Sequence, residues 1–182
     1  MAFHGIVNTT NMACTNIDAM NMAGVYATAD IDNGTLVTLK NIAKVDDSGV
    51  ITGYEYMVEP AAANATNVWL VATPEVGKTL EMQIHDDIRY FYNEAGKPMS
   101  IKGILTGGVD CVEVDAMAFT GGTLPVVANV GQYCGVAANG KFAAPQAQAP
   151  AAGAYFRIEG FHSITCGADE VATAVLRCMR NA

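Results

Sequence analysis

The chain has 182 residues, a formal net charge of −8 at pH 7 and 15% charged residues, where an average globular protein has about 25%. Its ten basic residues against eighteen acidic ones argue against direct contact with DNA or RNA, because phosphate binding depends on Lys and Arg. No apolar run approaches the roughly 20 residues that a membrane helix needs, so we expect no membrane partner.

Few charged groups remain to cover the surface, since 51% of the residues are apolar. Large obligate interfaces resemble domain cores in composition, so this shortage of charge predicts a homo-oligomer or a larger assembly. The N-terminus lacks a secretory signal, which predicts a protein made in the cytoplasm. The five cysteines are scattered and form no C-x-x-C pair, so we expect reduced, buried thiols.

The first predicted region is an irregular arm, residues 1–29, followed by a single β-rich domain, residues 30–182. The arm is rich in Asn, Thr, Met and Ala and has little periodicity of either kind. Two interpretations remain open for it, a frayed terminus or a segment that becomes ordered on a neighbouring subunit.

Turns and short strands follow in the first half of the domain. Asp32-Asn33-Gly34 is a turn before a strand at residues 35–39, and residues 46–49 form a second turn. Residues 54–58 alternate as a strand that Pro60 ends. Residues 68–73, around the single tryptophan Trp69, have no polar face and predict a central strand buried on both sides.

The second half continues in the same manner, apart from residues 79–92, whose spacing allows one or two helical turns. Strands are predicted at residues 99–105 and 109–114, with Val112 and Val114 facing the core. An apolar run then centres on Val126, Val127 and Val130.

The C-terminal part is predicted to contain two hairpin elements and a closing strand. Residues 132–136 pair with residues 141–143 through the turn dipeptide Asn139-Gly140, and residues 144–152 form a surface loop rich in Ala, Pro and Gln. Residues 155–159 alternate as a strand, and residues 171–179 fit a helix or, preferably, a closing strand. The predicted fold is therefore all-β, an antiparallel barrel or sandwich with an irregular N-terminal arm and at most one short helix.

No catalytic, cofactor-binding or metal-binding site is predicted. Residues 135–142 match a phosphate-binding loop through Lys141, but Phe142 stands where Ser or Thr should hold Mg²⁺, so a hairpin turn is favoured. His85 with Asp86 and Asp87 is better explained as an acidic loop than as a metal site.

Two further groups of residues favour a structural interpretation. His162 and Ser163 lie near Cys166 and Asp169 in one predicted loop, but they lack the arrangement of a nucleophile, a base and an oxyanion site. Trp69 and the nearby aromatic residues could form a carbohydrate platform, although such residues in β proteins usually belong to the core. These aromatic residues are Tyr54, Tyr56, Tyr90, Phe91 and Tyr92.

Three segments carry a family resemblance: residues 70–76 (LVATPEV), residues 93–98 (NEAGKP) and the strand at residues 108–114. They resemble the capsid decoration proteins, also called auxiliary head or cement proteins, of tailed bacteriophages, and the order of elements is similar over residues 32–136. The resemblance implies a non-enzymatic virion protein on the capsid exterior, made in the cytoplasm of the bacterial host. It also implies that many copies bind the major capsid protein and bridge its subunits, which stabilises the shell against the pressure of packaged DNA.

Two alternatives stay open at this point. The first is a phage tail-tube or connector β-protein, which would assemble into rings or tubes without a capsid. The second is a carbohydrate or small-ligand binding module, or a hydrolase, that uses the Trp69 cluster or the Lys141 loop.

Overall fold

The computed structural model describes residues 3–43, 48–76, 80, 82 and 87–182. Its strands form two sheets, a closed five-stranded barrel and an open five-stranded sheet, so the predicted all-β class is confirmed. The strands are β1 Val7–Asn8, β2 Asn21–Val25, β3 Leu36–Ile42, β4 Tyr56–Pro60, β5 Trp69–Val71, β6 Pro98–Gly103, β7 Cys111–Asp115, β8 Tyr133–Gly135, β9 Tyr155–Cys166 and β10 Asp169–Arg180.

The barrel has the strand order β2-β4-β3-β5-β6, and β6 closes it by pairing with β2. Its pairs are antiparallel except β2 with β4, which run parallel at Gly24 opposite Tyr56 and Val25 opposite Met57. Branched and flexible apolar side chains fill the interior, as expected for a small barrel. They are Ile31, Val37, Val58, Val71, Met99 and Ile101.

The open sheet has the order β1-β7-β10-β9-β8, and every neighbouring pair in it is antiparallel. Its two longest strands, β9 and β10, form a hairpin of two 12-residue strands. The even-numbered residues of β10 from Ala174 to Cys178 are fully buried, because one face of this sheet packs in the larger apolar core. That core also contains Leu36, Leu70, Val112, Val114, Phe142 and Phe156.

The predicted central strand lies between β3 and β6. Val68, Leu70 and Val71 are fully buried and Trp69 packs against the barrel core, so burial on both sides is confirmed. The strand itself is shorter than predicted, three residues from Trp69 to Val71. One reason is that the backbone of Val68 bonds to the Asn181 side chain and not to a strand.

The irregular N-terminal arm is a wrong prediction for part of its length. Strand β2 pairs with β6 over five residues and closes the barrel, and β1 pairs with β7 at the edge of the open sheet. Met12 and Cys14 are buried in the larger core. The strand partners that impose this order are distant in sequence, as Asn21 opposite Lys102 and Val7 opposite Val114 show, and local periodicity cannot reveal them.

Most of the other predicted elements are present, with shifted ends. The Asn139-Gly140 turn has left-handed backbone angles and sets Val136 opposite Phe142, as predicted, and the closing segment is strand β10. Of residues 79–92, where one or two helical turns are expected, residues 79, 81 and 83–86 lie outside the described residues, and Ile88–Tyr90 form a short 3-10 turn. Of the predicted turn at residues 46–49, Asp46 and Asp47 also lie outside the described residues, whereas Ser48 lies in a turn and Gly49 lies in a bend with a positive φ angle.

Candidate functional site

One long part of the chain is almost free of charge. Between Ala116 and Phe156 the sequence contains a single charged residue, Lys141, and all eighteen acidic residues lie outside this stretch. Most exposed protein surface carries interspersed charges of both signs. A surface built from this stretch therefore differs from the rest of the molecule.

The fold brings two pieces of this stretch side by side. Residues 116–132 connect β7 to β8, and residues 136–154 connect β8 to β9. Phe119 forms a parallel bridge with Phe142, whose N–H donates to the Ala118 carbonyl at 2.8 Å. Farther along, Tyr133 pairs with Gln146. We call the exposed residues of 117–131 and 137–152 the uncharged face.

Aromatic rings in tilted and edge-to-face contact lie beneath this face. Phe142 is fully buried, its ring centroid lying 5.6 Å from that of Phe119 and 5.0 Å from that of Phe156. Aromatic pairs at such distances add about 0.5–1.5 kcal/mol each beyond their burial. The two loops are thereby attached to the apolar core and do not extend freely into solvent.

A turn in the first loop presents three valines to solvent. Val126, Val127 and Val130 are 63%, 78% and 47% exposed. The Asn129 side chain accepts the Val126 N–H at 2.9 Å and donates to Gln132 Oε1 at 3.0 Å, while the Val127 carbonyl accepts the Val130 N–H at 3.1 Å. The valine turn is therefore ordered by its own hydrogen bonds although its apolar side chains are exposed.

A cavity of about 380 Å³ lies between the two loops. Lys141 is the only charged side chain in its lining, and its Nζ donates to the Met117 carbonyl oxygen at 2.7 Å. Gly121 and Gly122 have positive φ angles, and a Cβ atom at either would meet open space. Phe119, Thr120, Ala137, Ala138 and Asn139 complete the lining with Met117.

The backbone position of residues 135–142 favours the hairpin turn over a phosphate-binding loop. A Cβ atom added at Gly140 would collide with the Leu36 carbonyl, so this turn is pressed against β3 and does not surround an open anion site. The segment after Lys141 runs extended into the bridge at Phe142, and no helix N-terminus follows it.

His162 and Ser163 lie in strand β9 and not in the predicted loop. Adjacent residues of a strand point to opposite faces, and accordingly His162 Nδ1 contacts Glu113 Oε1 at 2.9 Å, whereas Ser163 Oγ donates to Glu170 at 3.3 Å. They do not form a nucleophile and base pair. Cys166 lies at the end of the same strand, and burial raises the pKa of its thiol.

Glu113 is a buried carboxylate that sequence reasoning missed. Its Oε1 accepts the Thr173 hydroxyl at 2.6 Å, and its Oε2 accepts the Asn8 side-chain amide at 2.8 Å. Alternation along β7 places Glu113 opposite the core residues Val112 and Val114, which would suggest exposure. Side chains of the two neighbouring strands, Asn8 of β1 and Thr173 of β10, pack against it, and local sequence patterns give no sign of these distant contacts.

Three aspartates, Asp115, Asp87 and Asp169, also make specific contacts. Burial raises the pKa of Asp115 to about 6, against the lowering effect of hydrogen bonds from the Ile6 and Met117 amides. Arg89 bridges Asp87 at 2.6 Å and Asp169 at 2.8 Å. Of the predicted acidic loop only Asp87 is described, while His85 and Asp86 lie outside the described residues.

The aromatic residues proposed as a carbohydrate platform do not form one surface. Trp69 packs against the barrel core, Tyr90 contacts the Phe3 ring at 5.4 Å and Tyr92 contacts the His4 ring at 4.8 Å. Tyr54 is exposed on the barrel wall. The described positions therefore favour the core interpretation for Trp69.

All five cysteines are free, and all except Cys111 are buried. Burial raises the pKa of the Cys14, Cys134 and Cys178 thiols to about 12, so they stay protonated and unreactive at neutral pH. The described residues contain no group of His, Cys, Asp and Glu arranged to hold a metal ion. In the same part of the chain, no helix has the length and apolar character to cross a bilayer.

Comparison of the chain with protein-family models, curated proteins and solved structures finds no match. The uncharged face is the candidate functional site, and the signal for it in the sequence is the absence of charge over residues 116–156 apart from Lys141. A search for catalytic motifs does not detect this signal, because the signal is the absence of charged residues and not the presence of a motif.

Proposed function

We propose that this chain is a non-enzymatic structural protein of a tailed-phage virion that decorates the capsid exterior and bridges subunits of the major capsid protein. The observation that carries the proposal is the uncharged face. Buried interface cores are depleted in charged residues. The stretch 116–156 has one charge in 41 residues, so the surface formed by its exposed residues resembles such a core more than a surface in permanent contact with solvent.

The valine turn supports this function through its preorganisation. Its backbone is already ordered by Asn129, so docking would cost little conformational entropy in the loop. Each exposed valine that loses its water contact contributes about 1 kcal/mol or more. Many copies on one shell multiply such modest contacts, since a protein that bridges two subunits binds both at once.

The position of the charges supports an exterior location. The acidic residues lie outside the uncharged face, so a chain docked through that face would direct its net negative charge away from the shell. Repulsion between neighbouring copies would be screened over roughly 8–10 Å at physiological salt. Homo-oligomer formation on the lattice is part of the same proposal.

The test uses empty shells assembled from the major capsid protein of the same phage. We expect the purified chain to co-sediment with these shells and to raise their thermal transition in calorimetry. A Val127→Asp variant should lose most of this binding, because burying an unpaired carboxylate is costly. Val76, which is 74% exposed outside the face, provides the matched control, and Val76→Asp should bind normally.

Three outcomes would contradict the proposal: no binding to the shells, binding without any change in their heat resistance, or equal binding by the Val76 and Val127 variants. Electron microscopy of the isolated chain tests the alternative that this is a tail-tube or connector protein. Rings or tubes that form without shells would favour that alternative over decoration.

A further inference from the structure

We propose that the cavity beside Lys141 receives a carboxylate-bearing side chain of the capsid protein, flanked by apolar residues, and that Lys141 is the charged anchor of the docking surface. This inference rests on the proposed function and adds the chemistry of the partner. It concerns a peptide segment with one Asp or Glu, and not a phosphate or a nucleotide.

The geometry of the cavity supports a narrow side chain. Its two sides are glycine- and alanine-rich loops, and the positions of Gly121 and Gly122 leave open space where a Cβ would be. Phe119 and Met117 provide apolar surface in the lining. A volume of about 380 Å³ is large enough for a side chain with part of its backbone and lies near the lower end of the range for small-molecule pockets.

The position of the cation supports a negatively charged occupant. A lysine ammonium has three N–H donors, and the Met117 carbonyl accepts one of them. Among the described residues, no carboxylate forms an ion pair with Lys141, in contrast to Lys40, which contacts Glu59 at 3.0 Å. The Lys141 charge also acts on the Asp115 carboxylate and works to lower its pKa, but the two groups do not form an ion pair. Lys141 is therefore a positioned cation with N–H donors to spare, and the uncharged face contains no other charge.

Burial of this ammonium against an uncharged partner would be unfavourable, because a desolvated charge needs a counter-charge. A carboxylate from the partner supplies that counter-charge and fixes the register of docking, as charge pairs do at protein interfaces. A docking segment that lacks the acid would be rejected by the same desolvation cost.

The test compares Lys141→Met with Lys141→Arg in binding to the empty shells described above. Methionine keeps much of the length and the apolar stem but removes the charge, whereas arginine keeps the charge. We expect the methionine variant to bind at least about tenfold more weakly, since truncating one partner of a buried pair commonly costs that much or more. The arginine variant should stay within about threefold of the wild type.

A second measurement identifies the partner atom. A zero-length carbodiimide joins an amine and a carboxylate that are in contact, so we expect a cross-link from Lys141 to an Asp or Glu of the capsid protein. Thermal unfolding of both variants separates loss of binding from loss of fold, because the Met117 hydrogen bond also involves Lys141. If Lys141→Met lowers the transition temperature, Lys141→Gln gives a second charge-free variant.

The results distinguish failure of this inference from failure of the proposed function. Normal binding by Lys141→Met together with loss of binding by Val127→Asp would overturn the Lys141 anchor and leave decoration intact. A bound complex without any cross-link at Lys141 would also overturn it. Normal binding by all variants, including Val127→Asp, would overturn both.

Discussion

The side chain of Asn181 pairs with the backbone of Val68 in the way that a neighbouring strand would. Asn181 Oδ1 accepts the Val68 N–H at 2.7 Å, and its Nδ2 donates to the Val68 carbonyl at 2.9 Å. The N–H of the preceding residue, Asn67, donates to the backbone carbonyl of Asn181 at 2.8 Å. The last residues of the chain thus satisfy the buried start of β5.

Replacing Asn181 with alanine should therefore lower the free energy of unfolding by about 2–3 kcal/mol, because it leaves a buried N–H and a buried carbonyl without partners. Chemical denaturation monitored by Trp69 fluorescence measures this change. Asn16→Ala is the control, since Asn16 is exposed and such substitutions usually stay within about 0.5 kcal/mol. Equal stability of the two variants would contradict the role of Asn181.

Asp115 predicts a specific pH dependence. Its pKa in the folded state, about 6, lies above its ordinary value of 3.8 because the carboxyl is buried. The folded state therefore binds more protons than the unfolded state between these values, and ionised Asp115 destabilises the protein above pH 6. Asp115→Asn should be more stable than the wild type at pH 8, by up to about 3 kcal/mol.

This difference between Asp115→Asn and the wild type should shrink as the pH falls through 6 and vanish near pH 4. Denaturation curves of both proteins at several pH values measure it. Glu170→Gln, at an exposed position, should show no comparable trend. A stability difference that stays constant with pH would show that burial does not raise the pKa of Asp115.

The Glu113 network predicts unequal effects for its members. Glu113→Ala removes the acceptor of the fully buried Thr173 hydroxyl and of the Asn8 amide, so it should cost about 2–4 kcal/mol. His162→Ala should cost less than about 1 kcal/mol, since the His162 side chain is 65% exposed. Thermal denaturation of both variants measures the two effects, and a larger effect at His162 would contradict this assignment.

Gly24 and Gly160 provide a matched pair of glycines in strands. A Cβ at Gly24 would lie 3.1 Å from Val58 and Ile101 in the barrel core, whereas a Cβ at Gly160 would meet nothing within 4 Å. Gly24→Ala should therefore destabilise the protein by about 1–3 kcal/mol through overpacking. Gly160→Ala should be neutral or slightly stabilising, because it restricts the unfolded chain.

The Gly24 and Gly160 variants are compared by denaturant unfolding at one temperature. Equal stability would show that the barrel core near Gly24 can yield to an added methyl group. A destabilised Gly160→Ala would contradict the open space around this position.

Part of this fold could be predicted because its causes are local. Asn139 and Gly140 both have positive φ angles, which these two residue types tolerate, so the two residues alone are enough to predict the turn. Burial is likewise predicted by two local patterns, the alternation around Val112 and Val114 and the apolar run at Trp69. The all-β class follows from many such short signals.

Other parts depend on partners that are distant in sequence. Strand β2 has no alternation of its own and becomes a strand because β6 supplies hydrogen bonds over five residues. Glu113 lies on the side of β7 that alternation assigns to solvent, and it is buried because side chains of the neighbouring strands β1 and β10, Asn8 and Thr173, pack against it. Local patterns carry no information about either partner.

The sequence by itself determined the all-β class, the turns and the scarcity of charge over residues 116–156. Only the tertiary structure decided that two loops from this stretch lie together, through the pairing of Phe119 with Phe142, and that Lys141 lines the cavity between them. The physical reason is the distance in sequence over which each effect acts. Preferences for backbone angles and hydrophobic patterns act within a few residues, whereas a surface is formed by distant segments that the core brings together.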